Sequence, residues 1–436
     1  HNFPSAIAPF EGGATGTGGR IRDVQATGIG AITVAGSAGY SVGNIYINER
    51  DESYPENIEL PINILIGASN GASDYGNKFG EPLIVGFTRN LSDIVDGRRR
   101  EWMKPIMFTS GIGLIDHRHI YKKEIEKDML IAKIGGPAYK IGVGGGSSSS
   151  KEMDSKNAEL DYNAVQRADP KMEQNMNRAL RRMIDMGEKN PIITLHDQGA
   201  GGNANVIKEL VENKGGIVDL SKFTKGDESM SDIELWISEY QESNAFVIRE
   251  KDRLMVEEIC KRENVLLDIV GKVTESGYLE IEKNGEEEVK ISLEEKKNRK
   301  EYNLKKNTEK KNGKDMVYFE LSNCIERVLK ELCVGSKRFL TNKVDRSVTG
   351  LIAQQQCVGS LHTPLSNYGL ISQSYFRNNE NKFAGCVKAI GEQPIFGLLD
   401  IRSMVQKTVA EMLTNMMWVL IDSIEDIRCS ANWMWA

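Results

Sequence analysis

The sequence lacks the features that mark several large classes of protein. No run approaches the roughly 20 apolar residues needed to cross a bilayer, and no signal peptide is recognisable, so a non-membrane, cytoplasmic protein is expected. Basic residues are in no surplus: 56 Lys and Arg face 62 Asp and Glu, for a net charge of −6. A generic nucleic-acid binder needs a concentrated basic face to displace counterions, which argues against that class. The six cysteines show neither CxxC nor Cys/His ligand spacing and read as free thiols of a reducing compartment. No Gly-Lys-Ser/Thr closes a glycine-rich loop, so there is no P-loop, and Ile21 stands at the last glycine position of a dinucleotide fingerprint. The chain has no initiator Met, opens on HNFP and ends on NWMWA, which reads as a fragment cut through structured segments.

What is present is a globular composition, 436 residues with 40% hydrophobic, and 42 glycines gathered into clusters. Apolar runs flank each cluster, as expected where backbone approaches something closely or takes positive φ. Residues 1–100 read as a loop followed by short strands, with AITVAG and PINILIG dense enough in β-branched residues for buried strands. EPLIVGFTRNL fits either a helix or a strand. Further on, KPIMFTSGIG, DMLIAKIGG, PIITLHD and ESNAFVIRE read as strands. KMEQNMNRALRRMIDM, entered by Asp169-Pro170, NANVIKELVEN and DRLMVEEICKRE read as helices. DIVGKVTESGYLEIE looks like a hairpin. The alternation predicts α/β or α+β layers. Residues 282–316 are rich in Lys, Glu and Asn with almost no core formers, a solvated or disordered insert. Two globular blocks therefore flank it, divided as 1–100, 101–281 and 317–436, the last containing a long apolar helix in IRSMVQKTVAEMLTNMMWVLI.

Several residues could carry chemistry. Gly12, Gly13, Ala14, Thr15, Gly16, Thr17, Gly18, Gly19, Arg20, Ile21, Arg22 and Asp23 form a glycine-rich stretch. Its backbone N–H groups could cradle phosphate, with Arg22 as an anion contact and Asp23 as a Mg²⁺ ligand. A tight structural turn fits the same pattern. His1 could move protons near neutral pH or be structural. Asp197 ends an apolar strand at a glycine turn, where it is either a Mg²⁺ ligand or a turn cap. Glu239 and Gln241 share one face of an extended segment, and Glu411 and Asn415 share a helix face four residues apart.

Taken together, HNFPSAIAPFEGGATGTGGRIRD, ASNGASDYGNKFGEP, GGPAYKIGVGGGSSSS, LDYNAVQRADPKMEQ, LHDQGAGGN, EYQESNA, KRFLTNKVDRSVTGLIAQQQCVG and CSANWMW resemble the phosphoribosylformylglycinamidine synthase family in its large multidomain form. The resemblance covers nearly the whole chain outside the charged insert. It implies two fused aminoimidazole-ribonucleotide-synthetase-like units, each an α/β plus an α+β domain, the second incomplete. It implies an ATP-dependent ligase that converts formylglycinamide ribonucleotide to the amidine with ammonia from a glutaminase domain lying outside this chain. It further implies His1 as proton acceptor, and Asn2, Phe3, Arg22, Gln166, Glu239, Tyr240 and Gln241 at the substrate. Segment 12–23 and Ser366 would contact ATP. Asp23 and Asp197 would hold Mg²⁺, and Asn367, Glu411 and Asn415 the metal of an auxiliary nucleotide site. Asn367 stands where the family has Asp, so it would offer an uncharged oxygen. The alternatives are another ATP-binding member of the superfamily and a non-catalytic nucleotide-binding remnant.

Overall fold

A computed structural model describes residues 2–47, 54–95, 97–149, 158–240, 242–294, 320–373 and 384–432. The chain starts with a short helix α1 (Phe3–Ile7), capped by the Asn2 side chain, and continues into α2 (Pro9–Gln25). Next come β1 (Ile32–Val42), α3 (Pro61–Phe79), β2 (Leu83–Asn90), the small strands β3 (Ser92–Val95) and β4 (Arg98–Glu101), and β5 (Ile106–Leu114). β1 is central in a three-stranded sheet, parallel to β2 and antiparallel to β5. This sheet continues past residue 100, where the sequence had suggested a division.

The glycine-rich stretch is not a loop. Residues 12–23 lie inside α2, and PINILIG, expected as a strand, is the first half of α3. The physical reason is helix packing. α2 and α3 run against each other so closely that a Cβ on Gly13 would strike the Ala68 carbonyl oxygen, and one on Gly71 the Phe10 carbonyl oxygen. Glycine clusters on two facing helices remove the side-chain layer between backbones. Gly71→Ala would gain about 1 kcal/mol of helix propensity, but the forced backbone shift costs roughly 1–3 kcal/mol. A net fall in thermal midpoint is therefore expected, and an unchanged or raised midpoint would remove close packing as the reason for this glycine.

The second sheet is built from β6 (Leu130–Gly135) onward. After α4 (Gly145–Ser149), α5 (Ala158–Asn163) and α6 (Pro170–Ile184) come β7 (Thr194–Asp197), α7 (Gly202–Val211), β8 (Gly216–Asp219) and α8 (Asp232–Ile237). β9 (Ser243–Ile248), α9 (Arg253–Glu263), β10 (Leu266–Val273), β11 (Tyr278–Lys283) and β12 (Glu286–Ser292) complete it. Its seven strands run in the order β12-β11-β8-β10-β6-β9-β7. Both faces are covered, which period-two alternation makes visible. Leu130, Ala132, Ile134, Phe246 and Ile248 pack with Met176, Leu180 and Val256 of α6 and α9. Ile131, Ala245 and Val247 pack on the other face with Val206, Ile207 and Leu210 of α7. Two expectations change here. β10 and β11 are not paired with each other, because β8 lies between them, antiparallel to β10 and parallel to β11. The opening of the charged insert is also not structureless: 286–292 forms an exposed edge strand on β11, held by backbone pairing with little burial. The remainder, 295–319, lies outside the described residues.

The last block contains α10 (Leu321–Lys330), α11 (Arg338–Thr341), β13 (Ile352–Gln354), β14 (Cys357–Val358), β15 (Thr363–Pro364), β16 (Tyr368–Ser372), β17 (Gly385–Ala389) and α12 (Ile401–Met416). Its sheet β13-β16-β17 packs on the first one: Val34, Ala35, Ile84 and Val85 share a core with Leu351 and Ile371. The expected apolar helix ends at Met416, short of the predicted Ile421. Among the described residues, no helix is long and apolar enough to cross a membrane.

Candidate active site

The candidate residues 12–23 all lie along α2, and the helix decides what each can do. A helix interior spends its N–H groups on carbonyls one turn back, so the backbone cradle expected of residues 12–23 is not available. Gly12 N–H already donates to Ala8 O at 2.9 Å, and Thr17 Oγ1 to Gly13 O at 3.2 Å. Arg20 is buried and donates to Glu81 through Nη2 at 2.6 Å.

Arg22, expected at the substrate phosphate, is sealed inside instead. Its Nη1 lies 3.0 Å from Glu173 Oε2 and 3.8 Å from Glu242 Oε1, and Tyr75 Oη donates to Glu242 at 2.9 Å. A phosphate could reach it only by displacing these partners. Two carboxylates thus share one guanidinium. Burial pushes Glu242 up to about 8, with Arg22 opposing and Glu173 adding to the shift. Burial also raises Glu173. Burial would lower Arg22, but Glu173, Tyr75 and Glu242 together hold it raised.

Because the folded-state value of Glu242 is raised, the folded protein keeps a proton that the unfolded chain releases. That stabilisation is complete below the ordinary glutamate value of about 4.3 and is lost as pH rises toward 8. Urea unfolding should show wild-type stability falling relative to Glu242→Gln between pH 5 and 8, by at most about 1.4 kcal/mol per pH unit. Parallel pH profiles would contradict the buried-proton assignment.

Asp23 sits one residue on, at the C-terminal end of α2, and faces outward. There it meets Asp197, the last residue of β7, across 174 positions of sequence. Desolvation and then the nearby Asp197 carboxylate push Asp23 up to about 6. Two carboxylates so placed bind either a shared proton or a cation. His196 lies beside them, with Nε2 3.1 Å from Glu209 and Nδ1 3.7 Å from Asp197. Lys122 feels Glu209 and Asp197, although burial is the larger influence and lowers it. The oxygen-only pair fits Mg²⁺, which takes one or two carboxylates and completes its shell with water and substrate phosphates. Among the described residues, no group of three or more His, Cys, Asp or Glu is placed to hold a metal ion.

Gln166 and Glu239, both expected at the substrate, lie together and bond chiefly to each other. Glu239 Oε2 accepts from Gln166 Nε2 at 2.7 Å, and Oε1 accepts from the N–H groups of Gly146 and Gly201 at 2.8 and 2.9 Å. The carboxylate thereby ties together the glycine turns that begin α4 and α7. Gly201 has a φ of 82°, which favours glycine. Tyr240 is buried with its hydroxyl 3.2 Å from Asn203 Oδ1, and Phe3 belongs to the core of the first sheet. Neither ring is open to a substrate, so any contact there is through main chain. Asn2 caps α1, and α1 touches α4, so the start of the chain reaches the same glycine turns. His1 and Gln241 lie outside the described residues.

A second group forms where the last block meets β2. Arg89, Lys337, Lys343, Asn367, Glu411 and Asn415 line a cavity of about 260 Å³. Glu411 accepts from Glu392 N at 2.8 Å and from Gln393 Nε2 at 2.9 Å, and Asn415 donates to Ile390 O at 3.0 Å. Burial pushes Glu392 up to about 7, against its ion pair with Arg89 and with Glu411 nearby. Thr341 Oγ1 and Arg346 Nη1, on the same wall, are buried without a hydrogen-bond partner among the described residues. Ser366 lies in an adjoining depression with Asn367 and Asn415, bonded to Gln354 at 2.9 Å. Glu173, Glu242, Arg346 and Thr341 escaped sequence reasoning. Their partners are distant in sequence, and no local spacing marks them.

The two sheets have the AIR-synthase-like fold. Residues 127–284 match the AIR synthase related protein, C-terminal domain, and residues 336–436 match the FGAR-AT PurM_N-like domain. Thermotoga maritima PurLQS superposes with a TM-score of 0.65 at 22% identity, covering 96% of this chain and 59% of that one. T. maritima PurL complexed with FGAR gives 0.61 at 21%, covering 95% and 59%. Both share the fold. Over its whole length the chain is 47% identical to the phosphoribosylformylglycinamidine synthase of Dictyostelium discoideum and 44% identical to that of Homo sapiens. The chain matches a fragment of these phosphoribosylformylglycinamidine synthases and spans about a third (34%) of the length of the two relatives.

Proposed function

We propose that this chain is the ATP-handling part of a ligase that converts formylglycinamide ribonucleotide, ATP and ammonia to the amidine, ADP and phosphate. The observation that carries this is the nearness of the Asp23 and Asp197 carboxylates, where α2 meets β7, beside the glycine turns held by Glu239. An amide oxygen is a poor leaving group. Transfer of the γ-phosphoryl group to it gives an iminophosphate, ammonia adds to the carbon, and the oxygen departs with phosphate. Mg²⁺ bound at the carboxylates would offset the charge of the transferring phosphoryl group.

The chain's own residues orient the reactants. Asp23 and Asp197 would hold the metal. Glu239 and Gln166 fix the turns that carry Gly146 and Gly201. Asn2 and the main chain at 239–240 approach the ribonucleotide, and His1 accepts a proton as ammonia adds. The cavity bearing Asn367, Glu411 and Asn415 is an auxiliary nucleotide site, whose unpartnered Thr341 and Arg346 donors suit phosphate oxygens. Ammonia comes from a glutaminase domain outside this chain. Free thiols at all six cysteines suit a reducing, cytoplasmic setting. The first domain boundary falls between Leu114 and Leu130, where one sheet ends and the next begins.

The full-length protein, given ammonium and formylglycinamide ribonucleotide, is expected to release ADP only when both are present. The absence of any ribonucleotide-dependent ADP release would point to a non-catalytic nucleotide-binding remnant instead.

A further inference from the structure

We infer that Lys133 is a positioning residue for Asp197, acting through Gln198; this rests on the reading of Asp23 and Asp197 as a metal site. Lys133 lies in β6, a central strand of the seven-stranded sheet, and is only 4% exposed. Its neighbours Leu130, Ala132 and Ile134 face the α6 and α9 side, while Ile131 and Lys133 face α7. An apolar side chain there would be buried without the cost of desolvating an amine.

The amine has a defined task. Lys133 Nζ donates to Gln198 Oε1 and stands 5.5 Å from the centre of the Tyr240 ring. Asp268, opposite Lys133 on β10, spends its oxygens on Thr224 N and Oγ1, each at 2.8 Å. Gln198 then donates through Nε2 to Tyr240 O at 3.1 Å, and its backbone N–H to Ser243 O at 3.0 Å. Gln198 follows Asp197 directly, and Tyr240 follows Glu239. One buried side chain therefore ties the segment bearing the metal carboxylate to the segment whose carboxylate gathers the glycine turns. Burial lowers Lys133 to about 7, with Asp268 opposing, and a neutral amine still donates this bond.

The test uses the full-length protein and Mn²⁺, whose free-ion electron paramagnetic resonance signal disappears on binding, so no turnover is needed. Lys133→Met and Gln198→Leu should each weaken Mn²⁺ binding by about 10-fold or more, the range for residues that orient ligands. The double variant should be no weaker than the worse single, because both remove the same bond. Thermal midpoints are recorded alongside, and Gln198→Leu carries the test if Lys133→Met does not fold. Folded single variants binding Mn²⁺ within twofold of wild type, or single effects that multiply in the double, would overturn the inference. Asp197→Asn separates the two levels. If it binds Mn²⁺ like wild type, the metal site itself is wrong; if it alone loses Mn²⁺, only the role of Lys133 falls.

Discussion

Arg22→Met is expected to destabilise the protein by about 3–5 kcal/mol, the cost of stripping one partner from a buried ion pair. Glu173 and Glu242 would remain inside the protein with no cation, at the junction of α2, α3 and α6. Both acids already have raised values, and without Arg22 each would have to stay protonated to remain buried. The loss should accordingly be smaller at pH 5 than at pH 8. Replacing Glu173 by Leu in the same molecule should recover part of it, since an apolar replacement avoids desolvation. Urea unfolding of both variants at the two pH values checks this. A pH-independent loss below about 1 kcal/mol, a surface-pair value, would mean that Arg22 is available to solvent and to a phosphate after all.

Asp197→Asn is the second large effect, and it acts on chemistry rather than on folding. Removing one carboxylate from the pair takes away several kcal/mol of support for the metal, so ammonia-driven turnover should fall at least about 100-fold. The metal-free protein should be no less stable, because two crowded acids are replaced by one acid and an amide. Mg²⁺ with ATP should raise the thermal midpoint of wild type by more than that of the variant, which keeps only the auxiliary nucleotide site. A variant that keeps turnover would place the metal elsewhere.

The two predictions separate what was legible in the sequence from what was not. Strands such as AITVAG and DMLIAKIGG and the helix after Asp169-Pro170 were readable because periodicity and caps are local signals. PINILIG was misread because β-branched density resembles a buried strand, whereas the decisive fact is the glycine-lined contact with a distant helix. The phosphate cradle failed for the same reason: glycines that let two helices touch look like glycines that bend a loop. β8 between β10 and β11 could not be foreseen, since a two-strand run with a glycine turn is a hairpin by every local rule. At the site, Asp23 and Asp197 were each identifiable as candidates, and Gln166 with Glu239 as well. The roles of Arg22 and Lys133 were not legible, because burial and partners 65 to 220 residues away decide them.

The central claim is that this fold activates an amide oxygen with ATP. Formylglycinamide ribonucleotide labelled with ¹⁸O at the reacting amide tests it in the full-length protein supplied with ATP and ammonium. The account predicts one ¹⁸O in each inorganic phosphate released. Amidine formed with the label in water and none in phosphate would contradict it.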